Sequence, residues 1–150
     1  MDVYIGVDGY TTPSGFIVKE ICIMFPDGEY NHYLLKHPAN QYLTEVDKRT
    51  IRYATTHLNN LSYDDGDVPY EFLQNILSEY RQYHVYTYSE VALKLLQNIL
   101  PTSVITNIQN LGFEMSSTLP DPKCFRKHNP RYCGKAKAIA VKNFVLKTNY

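Results

Sequence analysis

Val3-Tyr4-Ile5-Gly6-Val7, Phe16-Ile17-Val18-Lys19-Glu20-Ile21-Cys22-Ile23-Met24 and Tyr30-Asn31-His32-Tyr33-Leu34-Leu35 follow one another near the start of the chain. The first run alternates, and the second is rich in β-branched residues, so both read as strands. Asp8-Gly9 is read as the end of the first strand. Thr12-Pro13-Ser14-Gly15 supplies turn chemistry, and Pro26-Asp27-Gly28 is a second strong turn signal. Three strands joined by turns this short predict an antiparallel meander.

Beyond Leu35 the hydrophobic period changes. Thr44 is placed to cap a helix, with Asp47 three residues on as a variant of the capping box. Val46, Ile51, Tyr53, Ala54 and Leu58 are expected to line one side of that helix, over 44–58. Asn59 to Asp67 reads as a loop whose acidic run, Asp64-Asp65-Gly66-Asp67, is a solvated turn. Pro69 stands at a first-turn position ahead of Phe72, Leu73, Ile76 and Leu77, which have helical spacing. His84 to Tyr88 is a short strand. Ser89 caps the next helix, with Val91, Ala92, Leu95, Leu96 and Leu100 as its apolar face and Pro101 as its end. Ser103 to Thr106 gives another strand. After a long connection, Lys135 to Leu146 forms a last helix with Ala138, Val141 and Val145 on one side. The order β-β-β-α-α-β-α-β-α predicts an α/β fold, a mixed sheet with flanking helices, in a single domain over 1–150.

The 150 residues are 44% hydrophobic and 20% charged, a globular composition rather than a disordered one. Cys22, Cys124 and Cys133 make an odd count, and the start of the chain has no basic and apolar leader. An intracellular protein, cytoplasmic or nuclear, is therefore expected. No window approaches the roughly 20 apolar residues of a membrane span, so no membrane partner is expected. The net charge of zero conceals an asymmetry. Residues 1–120 hold 7 Lys/Arg against 14 Asp/Glu, whereas 121–150 hold 8 against Asp121 alone. Such a basic segment either steers a polyanion or packs against the acidic body of its own chain.

The element order is similar to that of the RNase H-like fold, and the local motifs resemble its DnaQ-like, DEDDh exonuclease branch. The first strand leads to an acid, Asp8, where that family has its first metal-binding carboxylate. His57-Leu58-Asn59-Asn60-Leu61 with Val68-Pro69-Tyr70-Glu71-Phe72 resembles the loop and helix before the family's second motif. His84-Val85-Tyr86-Thr87-Tyr88 with its helix resembles that motif itself. His128 followed by Cys133 matches the family's His-x4-Asp spacing with Cys in place of Asp. The Phe16-Ile17-Val18-Lys19-Glu20 strand and the Cys124-x3-His128…Cys133 segment are also similar to a group of arthropod and arthropod-virus proteins.

The resemblance implies two divalent ions, Mg²⁺ or Mn²⁺, held by carboxylates, with a histidine base. Asp8 would be the metal ligand, Glu90 the second-motif acid and His128 the base. The chain departs from the pattern at Tyr10, where a second acid belongs, and at Cys133, a soft donor unsuited to Mg²⁺. Glu20 lies on the adjacent strand, but beside Lys19 it reads as half of a solvent-facing pair. Cys124, His128 and Cys133 gather three zinc-type donors without a fourth. His84, His57, His37, His32 and Cys22 are the candidates to supply it, against the plainer reading of one buried structural cysteine at the start of the last helix, a second free thiol and an exposed histidine.

The function expected is a non-catalytic nucleic-acid-binding or interaction module on an exonuclease-type fold, needing no cofactor. Lys123, Arg126, Lys127, Arg131, Lys135 and Lys137 would contact the phosphates of single-stranded RNA or DNA, while Tyr132, Phe125 and Tyr10 stack on bases. The alternatives are an active metal-dependent 3′–5′ exonuclease with an altered acid set, and a protein-interaction domain.

Overall fold

A computed structural model describes residues 1–39, 41–114, 124 and 130–148. The strands are β1 (Asp2–Thr12), β2 (Gly15–Met24), β3 (Tyr30–Leu34), β4 (His84–Thr87) and β5 (Ile105–Asn107). The helices are α1 (Glu45–His57), α2 (Leu73–Ser78), α3 (Glu90–Ile99) and α4 (Gly134–Thr148). Short 3-10 turns lie at Tyr70–Phe72, Ile108–Leu111 and Pro130–Tyr132. No helix among the described residues is long and apolar enough to cross a membrane.

The five strands form one mixed sheet in the order β3-β2-β1-β4-β5. β1, β2 and β3 are the antiparallel meander, while β4 and β5 run parallel to β1. β2 therefore runs against the other four strands. Val3, Ile5 and Val7 of β1, with Ile21, Ile23 and Val85, turn to one face. There they meet Leu73 and Leu77 of α2 and Ala92 and Leu96 of α3. Tyr4, Cys22, Met24 and Tyr86 turn to the other face, beneath Ala138, Val141 and Val145 of α4. A third cluster, Tyr10 and Ile17 with Ile51 and Ala54, packs α1 against the far end of the β1–β2 hairpin.

Three expectations are corrected here. First, β1 does not end at Asp8-Gly9 but runs on to Thr12. The register steps from Asp8↔Glu20 to Gly9↔Val18, which leaves Lys19 as an extra residue in β2, a β-bulge. Gly9 serves close approach rather than a turn, since a Cβ there would collide with the Ile17 carbonyl oxygen. Second, Lys19 and Glu20 are not a solvent-facing pair, because both are buried. The bulge sends Lys19 to the carbonyls of Tyr63 (2.9 Å) and Asp65, and it turns Glu20 under α4. Third, Val46 and Tyr53 lie on the exposed side of α1; only Ile51 and Ala54 of the expected stripe are buried.

Caps and turns match the local chemistry. Thr44 Oγ1 accepts from the Asp47 N–H, and Asp47 Oδ2 accepts from the Thr44 N–H, both at 3.0 Å, which closes a capping box. Asp47 also takes the Ser14 hydroxyl at 2.6 Å, which ties the start of α1 to the tip of the β1–β2 hairpin. The β1–α4 contact depends on Gly6. A Cβ there would collide with the Gly134 carbonyl oxygen and stand 2.5 Å from the Ala138 amide nitrogen.

Candidate functional site

The bulge between β1 and β2 places two carboxylates side by side. Asp8 and Glu20 are register partners, and both are buried on the side covered by α4. Their surroundings divide them.

Asp8 faces a cleft of about 320 Å³ beside the ends of β1 and β4. Tyr53 of α1, Tyr88 and Ser89 after β4, Arg131 and Tyr132 before α4, and Lys137 of α4 also line it. In open α/β sheets ligands bind beyond the carboxyl ends of parallel strands, as this cleft is placed. Lys137 Nζ lies 3.0 Å from Asp8 Oδ1 and donates to the Val7 carbonyl at 3.3 Å. The buried Asp8 Oδ2 accepts no hydrogen bond among the described residues, and the Asn59 amide donates to the Gly9 carbonyl at 3.4 Å. Burial pushes the Asp8 pKa up to about 6 against the opposing pull of Lys137, and the Glu20 charge adds to the rise. Across the cleft, Ser89 has φ +97, a conformation few non-glycine residues adopt. Its Oγ accepts from the Ala92 N–H at 3.2 Å and its N–H donates to Asn107 Oδ1 at 3.0 Å.

Glu20 is surrounded by donors. His32 Nε2 lies 2.6 Å from its Oε2, Cys124 Sγ lies 3.0 Å from the same oxygen, and the Gly134 N–H donates to Oε1 at 2.8 Å. Burial alone would raise its pKa, but the hydrogen bonds from His32, Cys124 and Gly134 hold it below the usual carboxylate value. His32 is shifted up: burial opposes the charge, while Cys124 and Glu20 favour it. Cys22, opposite His32 in register, is a thiol pushed by burial up to about 12.

Of the residues singled out in the sequence, Asp8, Arg131, Tyr132 and Lys137 meet at the cleft. Glu90 is exposed on the first turn of α3 and does not line it. Lys123, Phe125, Arg126, Lys127 and His128 lie outside the described residues. Lys135 is buried, with Nζ 3.0 Å from the Tyr30 hydroxyl and 4.3 Å from its ring centroid. Lys135 and Lys137 thus turn to their own chain rather than outward to phosphates. Tyr10 is fully buried and donates to the Leu61 carbonyl, so it offers no stacking face. Of the five residues considered for a fourth soft donor, His32 adjoins Cys124 and Cys22 lies near enough to interact with it electrostatically; His84 bonds Thr106, His57 lies against Tyr53 and His37 stacks on Tyr63.

Glu20 is the site residue that the sequence reading misplaced, whereas His32 was among the candidate donors. Counting back from the Thr12-to-Gly15 turn pairs Asp8 with Lys19, and only the bulge substitutes Glu20. No family model matches the chain, and searches of curated proteins and of solved structures return no significant match.

Proposed function

We infer that the chain is a non-catalytic module on an RNase H-like sheet, which binds a single-stranded nucleic acid at the cleft beside β1 and β4. The element order and the antiparallel β2 are those the resemblance implies, and Asp8 stands on the central strand. The observation that carries the reading is the Lys137 ammonium 3.0 Å from Asp8. A two-ion nuclease needs a carboxylate free to hold a divalent cation, with further acids around it. Here a side-chain cation neutralises that carboxylate, Tyr10 is buried where a second acid belongs, and Glu90 is exposed elsewhere. Arg131 and the rings of Tyr53, Tyr88 and Tyr132 give the cleft the cation and stacking faces that single-strand binders use.

The test is incubation of the chain with labelled single-stranded DNA and RNA in Mg²⁺, Mn²⁺ or EDTA, read for both shortening and retardation. An intact, retarded probe is expected, with affinity falling steeply as salt rises. Tyr132→Ala should weaken binding by about tenfold, since one base stacked on an aromatic ring contributes about 1–3 kcal/mol. Metal-dependent shortening that Asp8→Ala abolishes would make the chain an active exonuclease. Neither shortening nor retardation would leave a protein-interaction domain.

A further inference from the structure

Beneath the first turn of α4 lies a second group of ligand-type side chains, distinct from the cleft. Its Glu20, His32 and Cys124 donor atoms all lie within 4.8 Å of one another. Cys133 Sγ lies 3.8 Å from Glu20 Oε2 but outside that 4.8 Å group, so its side chain would turn inward to become the fourth donor. The four come from separate parts of the chain: β2, β3, the connection before α4, and the residue just before α4. Glu20 and Cys133 are fully buried, and the His32 side chain is 8% exposed.

A tetrahedral ion with bonds of about 2.0–2.3 Å holds its ligand atoms about 3.3–3.8 Å apart. Cys124 Sγ to His32 Nε2, at 3.9 Å, and Cys133 Sγ to Glu20 Oε2, at 3.8 Å, are close to that spacing. The two shorter separations, 2.6 and 3.0 Å, are hydrogen bonds whose protons a cation would replace.

We propose that Glu20, His32, Cys124 and Cys133 form a tetrahedral zinc site that fastens the connection before α4 to strands β2 and β3. Two thiolates, an imidazole and a carboxylate are a zinc donor set, and thiolates do not suit Mg²⁺ or Mn²⁺. Binding releases one proton from each thiol, and His32 gives up the ring proton it shares with Glu20 and coordinates as the neutral ring. The ion with its three anionic ligands carries one net negative charge. The surroundings suit that charge: the Gly134 N–H points at Glu20, and the Lys135 ammonium is held against Tyr30, whose ring lies 6.3 Å from that of His32. Arg131 and Tyr132 immediately precede Cys133, so the ion would also fix one wall of the cleft. The site shares no ligand with the Asp8–Lys137 pair, and it stands whether or not the cleft takes nucleic acid.

The full chain, purified without chelator, should carry one zinc ion by elemental analysis. Exchange with Co²⁺ should give the intense visible bands of a tetrahedral ion together with a thiolate-to-metal charge-transfer band. Cys124→Ala and His32→Ala should each weaken zinc binding by at least about tenfold, whereas Cys22→Ala should keep it. The Co²⁺ spectrum of the unaltered chain reads thiolate ligation directly, even where a variant fails to fold. The proposal is overturned if the purified chain holds no zinc and Co²⁺ gives only the weak spectrum of a six-coordinate ion. It is equally overturned if zinc survives undiminished in both Cys124→Ala and His32→Ala.

Discussion

A lysine ammonium 3.0 Å from a buried carboxylate neutralises it and makes the protein's stability depend on pH. Asp8 has a folded-state pKa raised to about 6, so the folded chain holds that proton more tightly than the unfolded chain. A raised carboxyl pKa means that its ionisation destabilises the fold, and the penalty develops as pH rises through the folded pKa. Lys137 limits the penalty. In Lys137→Met the Asp8 pKa should rise further, so the variant should be less stable than the parent by about 2 kcal/mol near pH 8. That part of the deficit should vanish near pH 5, where Asp8 is protonated in both. Chemical denaturation at the two pH values checks it; equal deficits at both would mean that Lys137 acts by packing alone. Asp8 was legible as a site residue because a lone acid after an apolar alternating run stands out. Glu20 was not, because its orientation follows from one bulged residue, and a bulge leaves no mark in hydrophobic periodicity.

At the scale of elements, the contact between β1 and α4 depends on an absent side chain. Gly6→Ala should lower stability by about 3 kcal/mol, since the new methyl group meets the α4 backbone at both Gly134 and Ala138 and no rotamer change relieves it. A shift in the denaturation midpoint worth less than about 1 kcal/mol would mean that the helix rides higher on the strand than described. Most helices and strands were legible, since Thr44 and Ser89 cap where Thr and Ser do so for physical reasons. The apolar stripes were less so. Val46, Tyr53, Phe72 and Val91 have helical spacing yet are exposed, because each short helix covers the sheet with a narrower face than its composition offers. The Ile108–Leu111 turn carries no periodic signal and went unread.

For the molecule as a whole, the first strand is the shared partner of distant segments. β1 pairs with β2 and β4, and its two faces are covered by helices from the middle and the end of the chain. A chain ending at Glu114 keeps all five strands of the described residues but lacks α4, which uncovers Tyr4, Cys22, Met24 and Tyr86. Such a fragment should lose its cooperative unfolding transition and bind a hydrophobic dye; a sharp transition would show that the sheet stands without α4. The α/β class and the mixed sheet were legible from the change of period along the chain. The pairing of β1 with β4 was not, because short strands far apart in sequence carry no record of which neighbour they take.

The placement of α4 also has a consequence for how the chain is made. Ninety-nine residues lie between the end of β3 and Gly134. At about 5–20 residues per second, translation leaves the β1–β2–β3 meander without its covering helix for roughly 5–20 s. Throughout that interval an aromatic and sulfur-rich sheet face stands open beside the ribosome, which makes the nascent chain a client for whatever holds apolar surfaces apart in the cell.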